Sequence, residues 1–298
     1  MRRLLFIYNP WAGQQRARRQ LAEILDIFVE QGYEVTVHPT QGRGDATERA
    51  RNSVGFDRVV CCGGDGTFHE TAAGLMEVPL AHRPPLGYLP MGTTNDFARN
   101  LQLPRELADR VQVAGAGVLR PCDVGWANGK LFTYIAAFGL FTDVAYTTDQ
   151  TAKNLLGHFA YVLQGAGQLV NIPSFHVQVS RPGQPDIEGD FIYGMVGNTV
   201  SVGGLVNLPR DQVHLDDGQF EVILVRQPRA PRDWQAIINA FTQQKLPESG
   251  NVLGLSAAQV RFHCDRMVAW TLDGEFGGTC QDMEAINQKQ AIVVACGA

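Results

Sequence analysis

The sequence predicts an α/β domain over residues 1–120, followed by an antiparallel β-sandwich domain over residues 121–298. Up to residue 120, short apolar runs alternate with amphipathic stretches, as in a parallel sheet covered by helices. Beyond that point, strand-like runs are separated by Gly, Pro, Asn and Asp turns, which is typical of sandwiches and barrels. A length of 298 residues also favours two domains of ordinary size.

In the first domain, the apolar run Leu4–Tyr8 predicts a strand that is buried on both faces of the sheet. Residues 14–31 predict a helix, because their apolar side chains recur on one helical stripe and a glycine follows. The same patterns predict three further strands and two further helices. The strands are Tyr33–His38, Arg58–Cys62 and Leu86–Leu89, and the helices span residues 45–54 and 67–76.

In the second domain, short runs rich in β-branched and aromatic residues predict strands between turn-forming residues. These runs lie at residues 131–137, 175–181, 191–197, 219–225, 259–263, 267–272 and 291–295. Two helical stretches, near residues 149–170 and 232–244, interrupt the pattern. The apolar side chains of residues 138–170 either pack as a helix on the sandwich or form an apolar contact surface.

The composition excludes several classes of protein. The formal net charge is −5 with both signs mixed, which argues against a nucleic-acid-binding protein. No lysine precedes Lys130, so the first 129 residues cannot contain the Gly-Lys-Ser/Thr triplet of a P-loop. The first apolar run is too short for a signal peptide, and no stretch approaches the ~18–20 residues of a spanning helix. Six scattered cysteines without a Cys-x-x-Cys pair indicate reduced core thiols in a cytoplasmic protein.

Loops containing glycine follow the first, third and fourth strands, and all three should lie at the sheet edge where α/β proteins bind ligands. The loop Gly63–Thr67 allows backbone amides to point at one anion, and a helix begins directly after it. Asp65 would repel phosphate there unless a divalent cation such as Mg²⁺ lay between them. Alternatively, the loop is a tight turn in which Asp65 caps the helix.

The loop Pro90–Asp96 also offers backbone amides, hydroxyls and a carboxylate, which are groups that can bind an anion or a cation. The loop Asn9–Gly13 follows the first strand. Taken alone, Asn95 or Asp96 is explained as well by capping of the next helix. The coincidence of the three loops at one sheet edge favours a nucleotide site.

These motifs and several later ones resemble the bacterial soluble lipid kinases of the diacylglycerol kinase catalytic-domain superfamily, which includes sphingosine and ceramide kinases. The matching motifs cover nearly the whole chain in order. They are Asn9-Pro10-x-x-Gly13, Gly63-Gly64-Asp65-Gly66-Thr67 with Glu70, Gly92–Arg99, Asp123-Val-Gly-x-x-Asn128-Gly129, Lys153-x-x-x-Gly157-x-x-x-Tyr161, Asn198, Gly203-Gly204, Leu215–Gly218 and Asp273-Gly274-Glu275.

The resemblance implies that the first domain is of the NAD-kinase and diacylglycerol-kinase type and that ATP and Mg²⁺ are required. It places Asp65, Asp96 and Asp123 in an Asp–water–Mg²⁺ network. It makes Glu275 the base that takes the proton from the lipid hydroxyl. The residues implied to hold ATP are Asn9, Thr40, Gly63, Gly64, Asp65, Gly66, Thr67, Phe68, His69, Gly92 and Thr93.

In the turn Leu215–Gly218 the resemblance implies a structural Mg²⁺. Its ligands would be the Asp217 carboxylate and the backbone carbonyls of His214 and Gln219. From the residues alone, adjacent carboxylates beside a glycine favour a surface turn. Likewise, Asp273–Glu275 taken alone is typical of an exposed hairpin with solvated acids. The chain departs from the family pattern at residues 12–14, where Ala-Gly-Gln replaces the usual Ser-Gly and basic residue.

The sequence therefore predicts an ATP- and Mg²⁺-dependent lipid kinase, with conversion of diacylglycerol to phosphatidic acid as the preferred reaction. The alternatives are a kinase for phosphatidylglycerol, a sphingoid base or undecaprenol, an NAD kinase, and a non-catalytic sensor of nucleotide or lipid. The expected partner is a lipid at the membrane surface, with no nucleic acid and no transmembrane segment. The expected location is cytoplasmic, peripheral to the inner face of the membrane, and a homodimer is allowed for.

Overall fold

The computed structural model describes residues 1–139, 173–199, 201–202, 206–207, 213–242 and 250–297. The chain divides into two compact units, Met1–Val124 with Lys289–Ala298, and Gly125–Gln288. This division lies four residues beyond the predicted boundary at residue 120. It also differs from the prediction at the C-terminus, because the last ten residues belong to the first unit rather than to the second. The chain therefore passes from one unit to the other twice.

The first unit contains a parallel sheet in which β1 (Arg2–Tyr8) is an inner strand. This strand pairs in parallel with β2 (Tyr33–Pro39) on one side and with β3 (Arg58–Gly63) on the other. The next strand, β4 (Leu86–Pro90), pairs in parallel with β3. All four predicted strands are present, and their carboxyl ends lie at one edge of the sheet.

The helices of the first unit connect these strands. They are α1 (Ala12–Arg19), α2 (Leu21–Glu30), α3 (Asp45–Arg51), α4 (Asp65–Met76) and α5 (Leu107–Ala116), with short 3₁₀ turns at Leu80–His82 and Phe97–Leu101. The single helix expected over residues 14–31 is thus two helices. Within α1, Gly13, Gln14 and Gln15 have left-handed φ values of 56°, 58° and 66°. Left-handed backbone is costly for residues with a side chain, so it interrupts regular helix at this point.

The core of the first unit forms where β1 packs against the helices. Phe6 on β1 packs against Phe28 on α2, with the ring centroids 5.7 Å apart. The hydroxyl of Tyr33 donates to the carbonyl oxygen of Gly115 at 2.7 Å, which joins the start of β2 to the end of α5. Burial of this apolar surface stabilises the sheet by about 25 cal/mol per Å² and holds the strand ends in register.

The second unit is rich in antiparallel strands. Its strands, together with β5, which crosses between the units, have the bounds β5 (Val118–Ala127), β6 (Lys130–Phe132), β7 (Ile135–Gly139), β8 (Phe175–Ser180), β9 (Ile187–Gly197), β10 (Ser201–Val202), β11 (Val206–Asn207), β12 (Phe220–Arg226), β13 (Val252–Ala257), β14 (Gln259–Leu272) and β15 (Glu275–Cys296). The main strand order is β13-β12-β9-β7-β14-β15, and β8 pairs with both β9 and β14.

Several strands of the second unit are longer than their sequence patterns indicated. The runs at 259–263 and 267–272 are one strand, β14, whose pairing with β15 is irregular between His263 and Val268. The helix predicted near 232–244 is α6 (Pro231–Thr242). The predicted helix at 149–170, the motif from Lys153 to Tyr161 and the pair Gly203-Gly204 lie outside the described residues.

Aromatic side chains dominate the core of the second unit. The buried Trp270 on β14 lies 4.9 Å from Phe138 and 5.1 Å from Phe262, measured between ring centroids. The fold is therefore a mixed α/β unit and a β-rich unit, while the sandwich arrangement of the second unit stays a prediction. Among the residues that the structure describes, no helix combines the length and the apolar character needed to cross a bilayer.

All six cysteines lie in the described residues, and all six are free thiols. Five are buried, and burial raises the pKa of Cys61, in the third strand, to about 12. Because the thiolate is the reactive form, such a cysteine is inert at neutral pH and serves as a core residue.

Candidate active site

The carboxyl edge of the parallel sheet brings the predicted loops together through backbone hydrogen bonds. The amide of Asn9 donates to Cys62 O at 2.9 Å, and the amide of Thr40 donates to Tyr8 O at 2.9 Å. The amide of Met91 donates to the carbonyl of Gly63 at 2.7 Å. The segments that follow all four parallel strands are therefore anchored side by side, whereas the sequence predicted this for the loops after the first, third and fourth strands.

Two glycines allow the second and third of these loops to touch. A Cβ atom placed on Gly92 would lie 2.6 Å from the Cα of Gly64, which is closer than real Cβ atoms approach another atom. Asn95, with a left-handed φ of 51°, closes the third loop by accepting from Gly92 N at 2.9 Å and donating to Gly92 O at 2.8 Å. Only glycine permits this backbone contact.

The helix α4 begins directly after Gly64, so its first amides point toward this edge. The first amides of a helix have no acceptor within the helix, and together with the helix dipole they favour an anion. Gly66 is exposed, which leaves the backbone of the first turn accessible. The arrangement can therefore hold a phosphate group without a lysine.

Asp65 connects the second loop to the third loop. Its carboxylate accepts from Asp96 N at 3.1 Å and from Phe97 N at 3.3 Å. Asp65 therefore caps the 3₁₀ turn Phe97–Leu101, an interaction that the sequence did not indicate. The two carboxylates of Asp65 and Asp96 are thereby held on neighbouring segments at the carboxyl edge of the sheet.

The other two acids of the predicted network are more deeply buried. Asp96 is 3% exposed, and its carboxylate lies 3.9 Å from Arg99 Nε. Asp123 on β5 is fully buried and accepts from the amide of Gln290 at 2.7 Å. Hard oxygen donors of this kind suit Mg²⁺, either directly or through water.

The remaining residues predicted to hold ATP occupy different environments. The side chain of Phe68 is fully buried, and its ring stacks on Phe97 at a centroid distance of 4.1 Å. The amide of Phe68 donates to Gly64 O at the start of α4, so Phe68 stabilises the loop from the core side. Asn9 Oδ1 accepts from Trp11 N at 2.9 Å and shapes the first loop. Thr93 is exposed on the third loop, His69 and Thr67 are half-buried, and Thr40 is 8% exposed.

The hairpin that carries Glu275 lies in the second unit. The turn residues Asp273 and Gly274 have φ values of 51° and 81°, and Glu275 is exposed at the start of β15. Asp273 is only 7% exposed. The interpretation of two solvated acids is therefore wrong for Asp273, which sequence reasoning did not include among the site residues. The Asp-Gly pair signals a hairpin turn, but nothing in it signals burial of the carboxylate.

The turn proposed to hold a structural cation is also stabilised internally. Asp217 Oδ1 accepts from Gln219 N at 2.8 Å, and Asn198 Nδ2 donates to Leu215 O at 3.2 Å. His214 and Asp217 are exposed. Within the described part of the chain, no group of three or more His, Cys, Asp or Glu side chains is placed to hold a metal ion. The proposed site has one carboxylate and two carbonyls, a donor set that suits Mg²⁺ chemically.

A glycine-rich loop before a helix N-terminus, with carboxylates on the adjoining loop, is suited to transfer of a phosphoryl group from a nucleotide. Comparison with known proteins places the chain among the lipid kinases. The model of the diacylglycerol kinase catalytic domain matches residues 3–127. The chain is also 35% identical over 283 residues to a diacylglycerol kinase of Bacillus subtilis strain 168, covering 93% of this chain and 91% of that protein.

The chain belongs to the diacylglycerol kinase catalytic-domain family. A diacylglycerol kinase of Staphylococcus carnosus is 32% identical over 295 residues, covering 98% of this chain and 94% of that protein. The fold is shared with a solved diacylglycerol kinase from Bacillus anthracis, with a TM-score of 0.77, 23% identity and coverage of 99% of this chain and 97% of that chain. An NAD kinase from Archaeoglobus fulgidus shares the fold less closely, with a TM-score of 0.54, 12% identity and coverage of 98% and 93%.

Substitution of Gly92 by alanine should disturb the contact between the two phosphate-edge loops. The added methyl group would meet Gly64 Cα at 2.6 Å and Asn95 Oδ1 at 2.8 Å, so backbone must move. Overpacking of this kind costs about 1–3 kcal/mol. We expect Gly92→Ala to lower the Tm by a few degrees and to raise the KM for ATP severalfold, as measured by thermal melts and steady-state kinetics.

The matched control is Gly42→Ala in the same unit. A Cβ atom on Gly42 would have no heavy atom within 4 Å, and its φ is not left-handed. This variant should keep the Tm and the KM of the unmodified protein. Equal effects of the two substitutions would contradict the role assigned to the Gly64–Gly92 contact.

Proposed function

We propose that the protein transfers the γ-phosphate of ATP to the hydroxyl of diacylglycerol, giving phosphatidic acid and ADP. The hydroxyl oxygen attacks the γ-phosphorus, the bond to the bridging oxygen breaks, and the hydroxyl proton passes to a base. The observation that carries the proposal is the joining of the Gly63–Thr67 loop to the Gly92–Asp96 loop by the Asp65 carboxylate. The curated relatives named diacylglycerol kinase support the choice of acceptor.

The chain's own residues supply positioning and charge compensation for this reaction. The first amides of α4 and the loop around Gly92 would hold the phosphates of ATP. Asp65, Asp96 and Asp123 would bind Mg²⁺ with water molecules between. When bound, Mg²⁺ neutralises charge on the phosphates, which is the main electrostatic requirement of phosphoryl transfer.

Glu275 is the proposed base. It is exposed in the second unit, at the first position after a tight hairpin turn, so its carboxylate is accessible to a lipid hydroxyl. In enzymes generally, a base within hydrogen-bond reach of the attacking hydroxyl raises the rate by about 10²–10⁴-fold.

Three alternative functions can be tested against this proposal. An NAD kinase is favoured only by the shared fold, since the similarity to the Archaeoglobus fulgidus enzyme is 12% in sequence. A different lipid acceptor would use the same phosphate edge and the same base. A non-catalytic sensor would need the nucleotide edge but not the base, so the retained Glu275 argues against it.

The experiment that decides between these functions is incubation of the protein with radiolabelled ATP, Mg²⁺ and separate acceptors. The panel contains diacylglycerol, phosphatidylglycerol, a sphingoid base, undecaprenol and NAD. We expect label in phosphatidic acid at the highest rate. Label mainly in another lipid or in NAD would replace the proposed acceptor, and no label in any acceptor would favour the sensor.

The same assay tests the base. Glu275→Gln should lower turnover by about 10²-fold or more, because the amide cannot accept the proton, while the affinity for ATP stays nearly unchanged. Asp265→Asn is the matched control, since Asp265 is an exposed acid on the partner strand β14. Near-normal turnover of Glu275→Gln would remove Glu275 from this role.

We further propose that the turn Leu215–Gly218 binds a structural Mg²⁺ through Asp217 and the carbonyls of His214 and Gln219. Asp217→Asn is the informative variant, because an amide oxygen can still accept from Gln219 N while the charge is lost. We expect Mg²⁺ to raise the Tm of the unmodified protein and to raise that of Asp217→Asn less. An identical response of both proteins to Mg²⁺ would contradict the structural site.

Because diacylglycerol resides in a bilayer, we propose that the protein acts at the inner face of the membrane as a peripheral enzyme. The helix α1 presents Arg16, Arg18 and Arg19, all exposed, and Trp11 beside it is 70% exposed. Basic side chains attract anionic lipid headgroups, and tryptophan favours the interface. A homodimer stays a prediction that sedimentation analysis would test.

The triple variant Arg16→Glu, Arg18→Glu and Arg19→Glu should sediment less with vesicles that contain anionic lipid. Neutral phosphatidylcholine vesicles are the control, and the difference between the two proteins should be smaller there, because the charge attraction is absent. If both proteins sediment equally with anionic vesicles, the basic face of α1 has no role in docking.

A further inference from the structure

We propose that Asp273 and Thr133 form a positioning device for Glu275, by which the hairpin that carries the base is fixed to the β6–β7 connection. This inference rests on the proposed function of Glu275 as the base. Neither residue would touch the reacting atoms, so both act through the orientation of Glu275.

The geometry of Asp273 is that of a carboxylate enclosed by donors. Its Oδ2 accepts from Thr133 N at 2.7 Å and from Thr133 Oγ1 at 2.9 Å. Its Oδ1 accepts from Tyr134 N at 3.0 Å and from Ile135 N at 3.1 Å. Three consecutive backbone amides and one hydroxyl therefore converge on one buried side chain, with Asp273 7% and Thr133 1% exposed.

The segment that encloses the carboxylate is itself fixed. Asp273 N donates to Ile135 O at 2.8 Å, which closes a reciprocal contact with the same segment. Tyr134 O accepts from Asn198 N at 3.0 Å, and Ile135 pairs with Gly197 on β9. On the far side of the hairpin, Lys130 Nζ donates to Gly277 O at 2.6 Å. The residues on both sides of Glu275 are thus anchored to the body of the second unit.

A hairpin turn does not require such an arrangement. An Asp-Gly or Asn-Gly pair forms this type of turn because both residues tolerate a positive φ, and the side chain can remain in solvent. Burying a carboxylate is costly unless every oxygen is hydrogen-bonded, and here both oxygens accept hydrogen bonds. The added constraint restricts where the next residue but one, Glu275, can lie.

Such a restriction matters for a base. Proton transfer needs the acceptor within about 2.6–3.2 Å of the donor, and a displacement of about 1 Å can cost on the order of 10²-fold in rate. An exposed glutamate on a loose hairpin would sample many positions. The hydrogen bonds of the buried Asp273 restrict the hairpin and so define the position of the Glu275 backbone.

The test uses Thr133→Val and Thr133→Ser in the full-length protein. Valine has the shape of threonine but removes the hydroxyl donor to Asp273, whereas serine retains it. We expect Thr133→Val to lower kcat about 3–10-fold with an unchanged KM for ATP, because the hydroxyl donor to the Asp273 carboxylate is lost. Thr133→Ser should restore kcat to within about 2-fold of the unmodified protein. Equal kcat for Thr133→Val and the unmodified protein would overturn the proposal.

The same substitutions in the Glu275→Gln background separate positioning from general stability. A residue that acts through Glu275 has no further effect once the base is gone, so Thr133→Val should leave the residual, radiolabel-detected turnover unchanged. An equal fold-loss in both backgrounds would overturn the proposal. If Glu275→Gln alone has normal turnover, then the base assignment fails and the positioning role fails with it.

A measurement independent of catalysis is hydrogen exchange of residues 133–135 and 268–280. Asp273→Asn replaces one accepting oxygen by a donor that faces N–H groups, so exchange there should become faster while exchange in β1–β4 stays unchanged. Unchanged exchange in the hairpin would show that the carboxylate does not hold it, which overturns the proposal even if lipid phosphorylation is confirmed.

Discussion

The hydrogen bonds of the Asp65 carboxylate to the amides of residues 96 and 97 are the interaction on which the candidate active site depends. Parallel strands bring their carboxyl ends to one edge, but they leave the loops beyond that edge free to diverge. A single carboxylate between two loops holds them together, and it does so at the N-terminus of a helix. Glycine at positions 64 and 92 is what allows the backbones to approach closely enough for this contact.

Both units use the same device at different places. Asp65 joins two loops of the first unit, and Asp273 joins a hairpin to a strand connection in the second, each through backbone amides. Charge-assisted bonds to backbone are stronger than neutral ones and do not depend on the identity of the donor residues. Acids of this chain therefore hold loops and hairpins in place, a structural role that the sequence motifs do not distinguish from the proposed catalytic one.

Much of the first unit could be predicted from the sequence, because its signals are local. Apolar runs marked the four strands, and glycines marked the loops that follow them. Phe68 shows the limit of this reasoning, since the sequence did not indicate that its side chain is buried in the core and stacked on Phe97, and its role toward ATP stays a prediction. Asp273 shows the same limit, since its sequence pattern indicates a solvated acid and the structure buries the side chain. Both depend on contacts between residues far apart in sequence, which periodicity and turn chemistry do not record.

The two passages of the chain between the units have a consequence for biosynthesis. Residue Val294 of β15 pairs with Leu86 of β4, so the sheet of the first unit includes a strand segment that is translated after the whole of the second unit. An N-terminal unit that was contiguous in sequence could fold while the ribosome was still at work on the rest. Here the edge of β4 stays unpaired until residues 289–297 have been translated. Until then, such an unpaired edge is prone to wrong pairing. The first unit, although most of it precedes the second unit in the sequence, is completed only after the second unit has been translated.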